Sequence, residues 1–137
     1  MIIYYYWSTT CPWCAKVEHF VKVLESMGFN VVRVCIDVDV LNDLLDLNRL
    51  FIMSVGLNEI MAPLIAIEYE RRGVRKYMFV AIPSEKGEEG GKKNEDSISR
   101  DVAKLVLLTL RALTVLGVDV DPILENETVT KLLKPLF

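Results

Sequence analysis

The sequence predicts an α/β domain: a central mixed four-stranded sheet, with elements in the order β-α-β-α-β-β-α, flanked by helices and followed by a C-terminal extension. Three observations carry this. An aromatic and β-branched run at residues 2–7 gives way within a few residues to an apolar period near 3.6. Strand-like and helix-like stretches then alternate through the first half, as parallel strands joined by crossover helices require. In the second half two long β-rich stretches are separated only by a charged turn, the pattern of an antiparallel hairpin. With 137 residues, 52% of them apolar, the chain is the size of one domain and holds enough core-forming material to fold unaided.

Residues 2–7, IIYYYW, read as a strand buried on both faces. From Cys14 the period changes: Val17, Phe20, Val21, Leu24 and Met27 share one helical face, and Gly28 stops the helix. Residues 30–38 form a second inner strand and complete a βαβ unit with a right-handed crossover. Leu41, Leu44, Leu45, Leu47, Phe51 and Ile52 sustain a second helix, with Asp39 or Asn42 as its cap. After a loop through Gly56, strands at 64–70 and 76–82 pair across the turn at 71–75. The stretch 84–96, SEKGEEGGKKNED, has no apolar residue and both signs of charge, so 83–96 is expected to be a charged loop insertion. A last helix runs from Ser97 or Ser99 to Gly117. It is apolar nearly all round between Leu105 and Leu116, which suits either a deep groove within the domain or a homodimer interface along residues 98–117. The main domain then spans 1–120, and 121–137 is a tail with a short helix near 128–134.

Composition narrows the function classes. A net charge of −3 and the absence of a long basic stretch exclude a generic nucleic-acid binder, which needs clustered Lys and Arg on phosphate. The amino terminus, MIIY, has neither the charged region nor the cleavage site of a secretory signal, so a cytoplasmic location is expected. The most apolar segment, 102–118, is interrupted by Lys104 and Arg111 and falls short of the ~20 residues that span a bilayer, so no membrane contact is expected. Three cysteines, Cys11, Cys14 and Cys35, are too few for a disulfide-stapled scaffold.

The chemistry concentrates in CPWC, Cys11 to Cys14, between the first strand and the first helix. Pro12 suits the first helical position, where its missing N–H is not needed. Cys11 then lies at a helix N-terminus, where free N–H groups and the positive end of the dipole favour a thiolate and lower the pKa from ~8.5. Cys14, one turn later, faces inward beneath it and is placed to attack a mixed disulfide formed at Cys11. Lys16 is either a further stabiliser of that thiolate or an ordinary surface lysine. A mononuclear zinc site would need two more ligands, and only Cys35, on an inner strand, and His19, on the helix flank, remain; no bound metal is expected. Cys35, among valines, reads as a small core residue.

CPWC in this position, MAP (residues 61–63) ahead of the third predicted strand, and the element order from residue 2 to about 117 together resemble the thioredoxin superfamily, and within it the glutaredoxin-like thiol-disulfide oxidoreductases. The resemblance implies a thioredoxin-like fold, Cys11 and Cys14 as the catalytic pair, and a cis bond between Ala62 and Pro63 beside them. It implies a substrate groove shaped by Pro12, Trp13, Ala62 and Pro63, with Trp13 either an apolar rim for docking substrate or an ordinary helix-start aromatic lying on the surface. Gly90, Gly91 and then Glu95 or Asp96 loosely match the turn with which glutaredoxins help to bind glutathione. The expected partners are disulfide-containing proteins, with glutathione or a reductase for recycling and no tightly bound cofactor. Two alternatives keep the fold but not the activity: a non-enzymatic binding or dimerisation module, and a metal or iron-sulfur carrier in which Cys11 ligates a cluster across a dimer.

Overall fold

The computed structural model describes residues 1–36, 62–82 and 94–137. Its elements are β1 (Ile2–Trp7), α1 (Cys14–Ser26), β2 (Asn30–Cys35), β3 (Leu64–Arg71), β4 (Val74–Ala81), α2 (Glu95–Val115), α3 (Asp121–Leu124), α4 (Glu127–Leu133) and a 3-10 turn (Lys134–Leu136). The strands form one mixed four-stranded sheet in the order β2-β1-β3-β4. β1 and β2 are parallel, joined through α1, whereas β3 runs antiparallel to both β1 and β4. The molecule is thus an α/β structure. The expected second helix, Met61 and the pair Gly90-Gly91 lie outside the described residues.

The alternation of side chains along each strand builds two apolar faces. Ile3 and Tyr5 of β1, Ile65 and Ile67 of β3, and Val80 of β4 point to one face. There they meet Val17, Phe20, Val21 and Leu24 of α1 and Val102, Leu105, Val106 and Leu113 of α2. Tyr6, Val34, Leu64 and Ala66 form a second buried cluster on the other face, with Tyr4, Tyr77 and Phe79 packed against it. On that face the Glu68 carboxylate accepts hydrogen bonds from the Tyr77 hydroxyl (2.9 Å) and the Tyr4 hydroxyl (3.4 Å). β1 is therefore buried on both sides, as its unbroken apolar run predicts.

Several boundaries differ from the sequence expectation, each for a local reason. The hairpin turn is tighter than 71–75: Arg71 pairs with Val74, leaving Arg72 and Gly73, both at positive φ (55° and 76°), as a two-residue loop. Such a loop matches the right-handed twist of its strands and requires positive φ at both positions, which glycine takes without strain. The last helix starts at Glu95, ahead of Ser97, so it takes in the end of the expected charged loop; Asn94 Oδ1 accepts the Ser97 N–H at 2.8 Å, and Glu95 and Asp96 complement the dipole in the first turn. Met27, expected on the core face of α1, is exposed at the C-cap. Past it the Phe29 N–H donates to Leu24 O (3.1 Å) and the Gly28 N–H to Glu25 O (3.0 Å), a Schellman closure that Gly28 permits at φ 94°. Gly117 closes α2 with the same bond pattern.

The apolar α2 lies within the domain, against α1, β4 and the C-terminal segment. The tail is more than the single short helix expected: Ile123 of α3 and Val129 and Leu133 of α4 join the main core cluster. Asn126 starts α4 by accepting the Thr128 and Val129 N–H groups. Among the described residues, no helix is long and apolar enough to cross a membrane.

Candidate functional site

Two successive turns carry the chain from β1 into α1. The Cys11 N–H donates to Ser8 O (3.3 Å), and the Ser8 hydroxyl accepts the Thr10 N–H (3.3 Å), a local closure that serine favours. The Cys14 N–H then donates to Cys11 O (3.4 Å), while Trp13 O accepts from both Lys16 and Val17 (3.1 Å each). The helix therefore begins at Cys14 and not at Pro12, which stays exposed in the turn. The bond from Cys14 back to Cys11 closes a separate turn ahead of the helical ladder, and that turn is what brings the two cysteines round. Cys11 still precedes the first turn of α1, at the positive end of its dipole.

Cys11 and Cys14 are joined by a disulfide, with Cα atoms 5.4 Å apart. They are not equivalent: Cys11 is half-buried, whereas Cys14 is only 5% exposed. Both line a groove of about 410 Å3, with Tyr5, Trp7, Ala15, Glu18 and Arg33 among its walls. At its ionic end Arg33 Nη2 reaches Glu18 Oε1 (2.7 Å) and Glu25 Oε1 (2.6 Å). The bond to Arg33 holds the Glu25 carboxyl below its ordinary range, and the bonds to Glu25 and Glu18 hold the guanidinium charged.

Tyr5 and Asp101 support this loop from below, and neither is singled out by the sequence motif. The Tyr5 hydroxyl, in a residue 1% exposed, donates to Cys14 O at 3.0 Å. The Trp13 indole Nε1–H donates to Asp101 Oδ2 of α2 at 3.1 Å. Trp13 is accordingly half-buried, with part of its surface packed against the main core. Each had a faint signal: Tyr5 falls on the core parity of β1, and Asp101 interrupts an apolar stripe between Ile98 and Leu105.

The other expected residues are placed as follows. The Ala62–Pro63 bond is cis, and Pro63 is buried. Because Leu64 pairs with Tyr6, Ala62 and Pro63 adjoin the end of β1 from which the cysteine loop departs. Lys16 is paired with Glu95 at 2.8 Å, so it is engaged with α2. His19 is exposed and lines a separate cavity of about 290 Å3 with Lys16, Ser99 and Lys131 on the neighbouring flank of α1. Cys35 is buried and lies outside the Cys11–Cys14 disulfide. Among the described residues, no group of three or more His, Cys, Asp or Glu side chains is arranged to hold a metal ion.

Replacing Tyr5 by phenylalanine is expected to lower stability by about 1 kcal/mol, the usual worth of one buried hydrogen bond. It should also change the alkaline limb. Burial pushes the Tyr5 and Tyr6 phenols well above their ordinary value. Above pH ~10 the unfolded chain loses these protons while the native state keeps them, so stability is full below that pH and falls as pH rises, by up to about 1.4 kcal/mol per pH unit for each group. Urea unfolding of Tyr5→Phe between about pH 9 and 12 should show a shallower decline than wild type.

Comparison with protein-family models, with curated proteins and with solved structures finds no significant match.

Proposed function

We propose that this chain is a thiol-disulfide oxidoreductase with a thioredoxin-like fold of the glutaredoxin type. The observation that carries the reading is the asymmetric Cys11–Cys14 disulfide: one sulfur on the accessible side of a groove, its partner buried behind it at the start of a helix. The parallel β1-α1-β2 unit, the antiparallel β3 and β4, and the cis Ala62–Pro63 bond beside the cysteine loop support the finer assignment of fold.

In the reduced protein the Cys11 thiolate attacks one sulfur of a substrate disulfide. A Cys11–substrate bond forms, the substrate S–S bond breaks, and the departing thiolate takes a proton from water. The Cys14 thiolate then attacks the Cys11 sulfur, re-forming Cys11–Cys14 and releasing the second substrate thiol. The substrate gains two electrons and the protein loses two, which glutathione or a reductase must restore. Pro12, Ala62 and Pro63 shape the approach of a disulfide-containing protein to Cys11. This reading assigns the protein to the cytoplasm, where such reductants maintain thiols. The test is turnover of a protein disulfide by the full chain, with electrons supplied by either glutathione or a thioredoxin reductase. Turnover sustained by at least one donor supports the assignment, and failure with both, in a chain whose cysteines are demonstrably reduced, overturns it.

A further inference from the structure

Asp101 takes no part in the exchange just described, yet among the described residues it is the only charged side chain that is buried, at 7% exposure. A carboxyl withdrawn from water costs several kcal/mol unless it is well bonded. It sits on the core stripe of α2, one turn after Ile98 and four residues before Leu105, where an apolar residue would pack without that cost. Its Oδ2 is occupied by the indole N–H of Trp13, a residue that stands between the two cysteines and is 88 positions away in sequence. Trp13 is also where the turn becomes a helix: its carbonyl accepts the Lys16 and Val17 N–H groups. One side-chain bond therefore ties the middle of the dithiol loop to a helix whose other contacts are the domain core. The exposed Lys16–Glu95 pair links the same two helices near the surface.

We propose that Asp101 is a positioning residue for the dithiol. By holding the Trp13 indole it keeps the Cys11–Cys14 turn closed after the S–S bond has been broken, so the two thiols remain near bonding geometry. Without the tether the reduced loop gains conformations in which the sulfurs are apart, and re-forming the bond must remove that freedom again. The tether thus raises the effective concentration of one thiol at the other and biases the equilibrium toward the disulfide. This inference rests on the exchange reading above and deepens it: the bond from α2 sets how strongly reducing the site is.

The experiment equilibrates the full chain with glutathione buffers of graded ratio and reads the oxidised fraction by alkylation and mass spectrometry. Asp101→Ala and Trp13→Phe are each expected to shift the equilibrium toward the dithiol by about three- to tenfold, the upper figure being ~30 mV for this two-electron couple. The double variant should shift no further than either single one, because both remove the same bond. Asp101→Asn keeps an oxygen to accept the indole N–H and should stay within about twofold of wild type. If Asp101→Ala fails to fold, the contrast between Asp101→Asn and Trp13→Phe still decides the matter. Unchanged equilibria, additive shifts, or Asn as damaging as Phe would overturn the role of Asp101. If wild type exchanges disulfides but its variants keep its equilibrium, only the positioning role fails; if wild type does not exchange at all, the exchange reading itself is lost.

Discussion

Replacing Cys11 with serine is expected to reduce disulfide exchange to the uncatalysed rate, whereas replacing Cys14 with serine is expected to stall the protein as a mixed disulfide with its substrate or to leave only a slower monothiol turnover. The asymmetry follows from exposure. Cys14 is 5% exposed beneath the loop, and Cys11 is half-buried on the groove, so a bulky disulfide meets Cys11 first. A serine hydroxyl at position 11 cannot supply an anion near neutral pH, while a thiol ahead of a helix N-terminus can. Serine at position 14 leaves the first attack intact and removes the second, so the covalent intermediate persists until another thiol resolves it. Non-reducing electrophoresis after incubation with a protein disulfide should show the adduct in Cys14→Ser and none in Cys11→Ser. Alkylation of the reduced wild type should modify Cys11 before Cys14, with a half-point below the ~8.5 of an ordinary thiol. Full turnover in Cys11→Ser, or an adduct at Cys14, would require a different assignment.

The parts of this site that are legible in the sequence are those set by near neighbours. The chain order strand, cysteine loop, helix follows from a change of period around Cys14, and the ends of β1 agree with the aromatic run at 2–7. Side-chain parity along β1 then leads to burial of both faces, because Tyr5 and Tyr6 point in opposite directions into apolar clusters. The shift of the helix start from Pro12 to Cys14 was not legible: proline is compatible with both a turn and a first helical residue, and the choice is made by the Cys14 to Cys11 backbone bond. Trp13 shows the larger limit. Its surroundings in sequence are compatible with an exposed rim, whereas in the fold it is half-buried against the main core and bonded to a carboxyl on a helix far along the chain. The odd placement of Asp101 on an apolar stripe signals that some polar partner exists, but only tertiary packing identifies which. The same holds for the tail, where the spacing of Ile123, Val129 and Leu133 gives little period to read across two short helices and a break.

That tail supplies the second large expected effect. Ile123 is 1% exposed, Val129 is fully buried and Leu133 is 7% exposed, and all three belong to the cluster that holds the core faces of α1 and α2. Truncating a buried aliphatic side chain to alanine costs its transfer free energy plus a cavity term, so Ile123→Ala or Leu133→Ala should each destabilise the domain by about 2–4 kcal/mol. Against a total stability on the order of 5–15 kcal/mol, either loss is a large fraction. Removal of residues 121–137 goes further, because it uncovers the sides of α1 and α2 that α4 packs against. The shortened chain is expected to bind hydrophobic dyes and to aggregate, since a contiguous apolar face is left open to water. Urea unfolding of the oxidised protein and its alanine variants, read by circular dichroism, measures the loss directly. The folded fraction of each variant should retain the wild-type order of cysteine reactivity, because the tail supports α1 as a body while the loop itself is held by Ser8, Tyr5 and Asp101. A truncated chain with wild-type unfolding midpoint would show instead that the tail is an ornament on a domain already complete without it.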